Sequence, residues 1–311
     1  MKLNFVNSVS RRPLFALMLI LIGACNQTPT EITSLPRALG EVEAVRVNMD
    51  SLAPLDQTNE GTYVLWGLGE RNQAARLGEF FIDANGDVVD ANGTPVDTFT
   101  TSEVALRTLQ GILVTIETDP ASQSPTGMQI ISGTFIDRVA ALTVPISSGI
   151  TAATGSLRVF TPTDGPRTNE NSGFWMVDDA GAPALNMPDT TAALRYETFI
   201  EISAQNLNVG RFDVVDKRDD FCRFCANIAA FPQPERPGDD LLLNATQGLV
   251  FPIDISTAIV RISLEARSND FAQQSQLIVL EAVLPAGLVG GESVTFTNLA
   301  ASFPSGQAVL Y

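Results

Sequence analysis

One predicted unit of the chain, two strands followed by a tight turn, occurs twice and limits the folds open to it. The first copy is Tyr63–Val89, YVLWGLGERNQAARLGEFFIDANGDVV. Its aromatic and β-branched residues favour strands. Within it, Asn85-Gly86 favours a type I′ turn that pairs Phe80–Asp83 with Val88–Val89. The second, more divergent copy begins at Tyr196.

Four segments match between the copies, and they follow one another in the same order. The matched segments are Tyr63–Trp66 with Tyr196–Phe199, Leu77–Phe80 with Val209–Phe212, Leu113–Glu117 with Arg261–Glu265, and Met128–Phe135 with Gln276–Val283. A repeated order of short strands separated by turns indicates duplication of an all-β unit.

The sequence therefore predicts an all-β fold with two tandem β-sandwich domains, antiparallel and immunoglobulin-like, at residues 41–150 and 151–311. A small, uncharged segment near residues 145–156 is predicted to join them. The last residues, Gln307–Tyr311, are predicted to form an edge strand.

The N-terminal segment has the pattern of a bacterial lipoprotein signal. The apolar run Leu14–Ile22 follows basic residues and is too short for a bilayer, which needs about 20 residues. It ends in Ile22-Gly23-Ala24-Cys25, a lipobox in which Cys25 is lipidated and becomes the first mature residue. Residues 1–24 are thus predicted to be a lipoprotein signal peptide, and residues 25–40 a polar tether. An ordinary secretory signal, with Cys25 incidental, is the alternative.

Lipidation of Cys25 would anchor the protein to a membrane, because several acyl chains bind stably where one chain is marginal. Asn26, rather than an aspartate, follows the cysteine, which favours the outer membrane in a diderm bacterium. No other segment is predicted to span a membrane. We therefore expect a lipid-anchored protein of the bacterial cell envelope, at the outer membrane and facing the periplasm or the cell surface.

Charge and composition argue against nucleic-acid binding and against common forms of catalysis. The chain has 19 Lys and Arg, 35 Asp and Glu, and a formal net charge of −16, which repels phosphate. It has no histidine, so Ser-His-Asp and Cys-His catalysis and histidine metal sites are excluded. The doublets Asp178-Asp179, Asp219-Asp220 and Asp239-Asp240 are predicted to be loop acids, since neighbours on a strand point to opposite faces. Neither an enzyme nor a bound cofactor is expected.

The Cys222-Arg223-Phe224-Cys225 motif has three interpretations. A structural disulfide suits an oxidising compartment and would pin the surrounding long loop. A redox-active dithiol would normally be found in a thioredoxin-like context, which the neighbouring sequence does not resemble. Half of a metal site would require further soft ligands, and Cys25 is the only other cysteine.

Two further groups of residues have both a functional and a structural interpretation. Asp83, Asn85 and Asp87 are weak candidates for a cation site, but their spacing departs from that of a calcium loop and a hairpin turn explains them. Trp66 and Trp175 could stack on a sugar, although their apolar strand patterns favour the core.

Several of these segments together resemble the extracytoplasmic C-terminal domain of anti-sigma-K-type factors. The motifs that carry the resemblance are Tyr63-Val64-Leu65-Trp66, Leu77-Gly78-Glu79-Phe80, Val114-Thr115-Ile116-Glu117 and Pro125-Thr126-Gly127, with Ser172-Gly173-Phe174-Trp175, Tyr196, Gly210-Arg211-Phe212 and Pro237-Gly238-Asp239-Asp240 in the second copy. The resemblance implies a β-sandwich and a sensing or interaction role outside the cytoplasm. It does not imply direct inhibition of a sigma factor, because that activity belongs to a separate helical domain.

The sequence therefore favours a non-catalytic binding or structural module that is attached to the membrane by its lipid and contacts an unknown protein or glycan. One alternative is a regulatory or sensor accessory of an extracytoplasmic signalling system. Another is a cation- or glycan-binding protein. If the chain has a functional surface, we expect it in the Cys222–Asp240 loop of the second copy.

Overall fold

The computed structural model describes residues 42–102, 105–146, 149–190, 193–267 and 274–311. The predicted signal peptide, Cys25 and the tether lie outside the described residues. The strands are β1 (Val45–Asp50), β2 (Thr62–Leu68), β3 (Ala74–Ile82), β4 (Val88–Val89), β5 (Thr98–Phe99), β6 (Gly111–Glu117), β7 (Met128–Thr134), β8 (Val139–Thr143), β9 (Thr154–Val159), β10 (Gly173–Trp175), β11 (Leu185–Asn186), β12 (Leu194–Ile202), β13 (Gln205–Phe212), β14 (Gly238–Asp240), β15 (Ile259–Ala266), β16 (Ile278–Val283), β17 (Ser293–Thr295), β18 (Thr297–Asn298) and β19 (Ser305–Leu310). Short 3₁₀ helices occupy Glu70–Asn72, Leu106–Thr108, Ile150–Ala152, Pro162–Asp164 and Ala300–Ser302.

These strands form antiparallel sheets, and the predicted all-β sandwich class is confirmed. The first sheet has the order β4-β3-β2-β6-β7-β8-β19-β1-β5. A second has the order β13-β12-β15-β16-β18, and a third has β11-β9-β10-β14 with β17 added beside β9. Within the described part of the chain, no helix is long and apolar enough to cross a membrane.

The last strand of the chain lies inside the first sheet. β19 pairs with β1 on one side, where Leu310 is opposite Val45, and with β8 on the other, where Ala308 is opposite Ala140. The prediction of an edge strand at Gln307–Tyr311 is therefore wrong, because this segment is hydrogen-bonded on both sides. The boundary between residues 150 and 151 stays a prediction, although the end of the second segment completes the sheet of the first.

The same four-stranded unit occurs in both halves of the chain. Strands β3-β2-β6-β7 and β13-β12-β15-β16 have the same order and antiparallel pairing. The hairpin of each unit shifts register at the matched position, between Leu65 and Trp66 in the first and between Thr198 and Phe199 in the second. A β-bulge repeated at one position is a local feature that both copies share.

Aromatic pairs occupy the same place in the two units. Tyr63 is opposite Phe80 with ring centroids 5.2 Å apart, and Tyr196 is opposite Phe212 with centroids 5.3 Å apart. Cross-strand pairs of this kind stabilise a sheet. The predicted match of the last strands of the two units is wrong by one residue, because the structural equivalent of Met128 is Leu277 and not Gln276.

The centre of each unit is buried because both sheet faces are covered. Every residue of β6 is buried, whereas β8 alternates between exposed and buried side chains. A continuous apolar cluster includes Val114, Leu157 and Ile262, and so extends through both halves. Burying such side chains contributes about 1.5–3 kcal/mol each relative to exposure.

Three surface turns share one design, which explains the candidate cation residues. In the first, Asp83 Oδ1 accepts the N–H groups of Asn85 at 2.8 Å and Asp87 at 2.9 Å, while Gly86 has φ 89°. Asp90 and Asp178 accept equivalent N–H groups in the other two. Because Asn85 does not have positive φ, the predicted type I′ turn is wrong. The loop has three residues and ends in a left-handed glycine.

Candidate functional site

An open cavity of about 310 Å³ lies where the two repeated units meet. The first unit and its preceding loop contribute Leu55, Ile116 and Met128 to its wall, and the second contributes Ile278. This volume is at the lower end of the range typical of ligand pockets, about 300–1,000 Å³. We call it the inter-repeat cavity.

One side of the inter-repeat cavity is fixed by a hydrogen-bonded latch between the units. Gln276 Oε1 accepts the Ala53 N–H at 2.9 Å, and Gln276 Nε2 donates to the Tyr63 hydroxyl at 2.6 Å. The Tyr63 hydroxyl in turn donates to the Ala53 carbonyl at 2.8 Å. Each polar group of this latch is satisfied by another, so the cavity wall is held in one arrangement.

Polar groups point towards the cavity beside its apolar wall. Asn206 Nδ2 donates to Gln274 Oε1 at 3.2 Å, but the buried Gln274 Nε2 has no hydrogen-bond partner among the described residues. Glu265 lies behind it, 4% exposed, and accepts from the Ser263 hydroxyl and the Ser275 N–H. Burial raises the pKa of Glu265 to about 7. The cavity lining thus includes amide side chains and a carboxyl group that titrates near neutral pH.

A second cluster of chemical groups is built around β14, where two adjacent acids are completely buried. Asp239 and Asp240 are each 0% exposed, so the prediction that this doublet consists of loop acids is wrong. Because they are neighbours on a strand, their side chains point to opposite sides. Gly238, opposite Trp175 in β10, has φ 151°, and a Cβ there would overlap the backbone of Phe174.

Asp240 is held by three donors from two other segments. Its Oδ2 accepts the N–H of Thr163 at 2.8 Å and the Thr163 hydroxyl at 2.7 Å, while Oδ1 accepts the Trp175 indole N–H at 2.7 Å. Burial nevertheless raises its pKa to about 6, because these donors offset only part of the desolvation. Asp240 therefore fixes the Pro162–Asp164 turn onto the third sheet.

Asp239 faces the cysteines on the other side of β14. Cys222 and Cys225 are joined as a disulfide, with Cα atoms 5.4 Å apart, within the usual disulfide range. Asp239 Oδ1 lies 3.4 Å from Cys222 Sγ and 3.2 Å from Cys225 Sγ. Asp239 also accepts the N–H groups of Arg223 at 3.0 Å and Phe224 at 3.3 Å. With the sulfur atoms bonded to each other, the motif offers no thiolate to a metal ion.

Asp219 completes this cluster, which we call the aspartate–cysteine cluster (Asp219, Cys222, Cys225, Asp239 and Asp240). Asp219 is 6% exposed and its Oδ2 accepts the Gly238 N–H at 3.1 Å, whereas Oδ1 has no partner within the described ranges. Burial, followed by the charge of Asp220, raises its pKa to about 8. For Asp239 the pKa is raised well above its ordinary value, chiefly by burial.

The remaining predicted residues have structural roles or lie elsewhere. Trp66 and Trp175 are 0% exposed, so neither offers a face for sugar stacking. Their indole N–H groups donate to the Thr115 hydroxyl and to Asp240. The inter-repeat cavity was missed by sequence reasoning, because its lining comes from strands and loops that are far apart in the chain. No protein-family model, curated protein or solved structure matches this chain.

Proposed function

We propose that the protein is a lipid-anchored module of the bacterial cell envelope that binds a small amphipathic molecule in the inter-repeat cavity without catalysis. The observation that carries the proposal is the cavity itself, about 310 Å³ in volume and open to solvent between two rigid sheets. The lipobox at Cys25 supports the anchoring, and the chain's lack of histidine supports a binding role.

The lining indicates the chemistry of the ligand. Leu55, Met128 and Ile278 would contact an apolar body. The amide side chains of Asn206 and Gln274 belong to the same lining and favour a ligand with a polar end. Carboxyl groups of Glu60 and Glu265 lie at the same cavity and disfavour an anion. An uncharged or cationic molecule with one polar end fits these constraints.

A fluorescence titration tests the binding site. The probe is N-phenyl-1-naphthylamine, an uncharged amphiphile whose emission rises in apolar surroundings. We expect saturable binding of one equivalent by the full chain, and at least about tenfold weaker binding by Leu55→Trp, since 1.4 kcal/mol of lost contact is tenfold in affinity. The matched control is Val250→Trp, because Val250 is 81% exposed and is not among the residues that line the cavity. Equal binding by the Leu55 variant would refute the proposed site.

Metabolic labelling with palmitate tests the anchor. The parent should incorporate label and fractionate with membranes, and Cys25→Ala should do neither. Label retained by the variant would contradict lipidation of Cys25.

A further inference from the structure

We propose that Cys222, Cys225 and Asp239 form a thiol–disulfide exchange centre, in which Cys222 is attacked by thiols and Asp239 carries the proton of Cys225. This activity is separate from the inter-repeat cavity and goes beyond the proposed binding function. Its reaction partner is a thiol pair, either two small thiols or a protein dithiol.

The two cysteines differ in accessibility as an exchange centre requires. Cys222 is half-buried at the border of the cluster formed by Trp175, Val177 and Cys225, whereas Cys225 is 7% exposed and belongs to that cluster. An incoming thiolate can therefore reach Cys222 while Cys225 is shielded. Arg223, between the two cysteines in sequence, is exposed, and its guanidinium carbon lies 5.3 Å from the centre of the Phe224 ring, so the cysteine loop has one positive charge at its surface.

The acid lies against both sulfur atoms and is shielded from water. Asp239 Oδ1 lies 3.4 Å and 3.2 Å from the two Sγ atoms, within reach of proton transfer to either. Its position is fixed by the N–H groups of Arg223 and Phe224, which belong to the cysteine loop itself. Asp239 Oδ1 also accepts the N–H of Asp240 at 2.7 Å, so the acid and the cysteine loop are held together on β14.

The proposed exchange balances atoms and electrons. A thiolate RS⁻ attacks Cys222 Sγ, the Cys222–Cys225 bond breaks, and a mixed disulfide forms on Cys222. Cys225 leaves as a thiolate and takes the proton held by the Asp239 carboxyl group. A second thiolate attacks the R sulfur, RSSR departs, and Cys222 leaves as a thiolate that is protonated by water. Two thiols are oxidised and the protein disulfide is reduced; the reverse sequence reduces an external disulfide.

Burial raises the pKa of Asp239 well above its ordinary value, and nearby carboxyl groups raise it further. Its neighbours are the carboxyl groups of Asp219 and Asp240, and both disfavour a further negative charge. No basic side chain is among the groups that contact the Asp239 carboxyl in the described part of the chain; Arg223 approaches it only through its backbone N–H. Proton donation by Asp239 should therefore weaken as the pH rises through its raised pKa.

The test measures exchange rates on the full chain carrying Cys25→Ser, in which Cys222 and Cys225 are the only cysteines. Dithiothreitol is the thiol pair, and reaction is stopped by alkylation and counted by mass spectrometry. We expect Asp239→Asn to slow reduction, per dithiothreitol thiolate, on the order of 100-fold, the lower end of general acid catalysis. Glu117→Gln is the matched control, since it removes a buried acid, 1% exposed, whose partners are Thr115 and Thr126, and it should change the rate less than threefold.

A second measurement does not depend on a variant that folds. The parent is reduced both folded and in urea, and we expect the folded chain to exchange faster per thiolate than the unfolded one. A disulfide with only a structural role is protected by folding and would exchange more slowly when folded. Slower exchange in the folded parent, or an Asp239→Asn protein that is folded by near-ultraviolet circular dichroism and exchanges at the parent rate, would overturn the proposal.

Discussion

Replacing Asp219 by Asn should stabilise the protein at alkaline pH and leave it nearly unchanged at acid pH. The Asp219 side chain is 6% exposed and packs against Gly210. Its Oδ2 accepts the Gly238 N–H. The pKa of Asp219 is raised to about 8 by burial. Asparagine has the same shape, and its amide oxygen keeps the hydrogen bond to Gly238. Its NH₂ group takes the place of Asp219 Oδ1, which has no hydrogen-bond partner among the described residues.

The magnitude follows from the difference in proton affinity between folded and unfolded states. An aspartate in an unfolded chain has a pKa of about 3.9, and each unit corresponds to about 1.4 kcal/mol. A folded pKa of about 8 therefore implies that ionisation of Asp219 lowers the free energy of unfolding by up to about 5 kcal/mol. Because the folded state holds a proton that the unfolded state releases, the free energy of unfolding falls as pH rises between about 4 and 8.

Urea unfolding of parent and Asp219→Asn at pH 4.5 and pH 8 measures this effect. We expect the variant to gain several kcal/mol at pH 8 and less than about 1 kcal/mol at pH 4.5. Asp216→Asn removes the same charge from an exposed neighbour and should change neither value by more than about 0.5 kcal/mol. A variant that is destabilised at pH 8, or that keeps the pH dependence of the parent, would refute the reasoning.

Two further changes test local packing. Gly210→Ala places a Cβ where the Asp219 carboxyl group lies and should lower the free energy of unfolding in urea by about 1–3 kcal/mol. The double variant with Asp219→Ala should recover most of that loss. Strictly additive losses would contradict the overlap. Tyr63→Phe removes a hydroxyl that contacts both Ala53 and Gln276 and should lower the free energy of unfolding in urea by about 1–2 kcal/mol. Tyr196→Phe removes a hydroxyl with one hydrogen bond to a carbonyl and should cost about half as much. An equal loss for the two tyrosines would show that the latch adds nothing.

Local patterns predicted the strands whose pairing partners are near in sequence. The predicted segments Leu113–Glu117 and Met128–Phe135 have strong strand composition, and the structure has strands there, at Gly111–Glu117 and Met128–Thr134. The edge assignment of the C-terminal strand failed because its neighbour begins at Val45, at the other end of the chain. A pairing between strands at opposite ends of the chain cannot be predicted from local sequence patterns.

The candidate site was only partly predictable for a related reason. The cysteine motif is visible in the sequence, which left open a disulfide, a redox-active dithiol and half of a metal site. Strand β14 could not, because two aspartates oppose strand formation in isolation. They are accommodated by donors from distant segments, Thr163 and Trp175 for Asp240 and the Arg223–Phe224 backbone for Asp239. Likewise, the cavity forms only when Leu55 and Gln274 are brought together by folding.

The position of β19 has a consequence for folding during synthesis. A chain that emerges from its N-terminus cannot complete its first sheet until the final residues arrive, because β1 and β8 are both hydrogen-bonded to Ser305–Leu310. Until then, two unpaired strand borders stay open to self-association. In the complete sheet, the backbone N–H of Glu43 donates to the carbonyl of Tyr311 at 3.0 Å, so the two ends of the described region lie together. A reporter fused after Tyr311 would therefore lie next to Glu43.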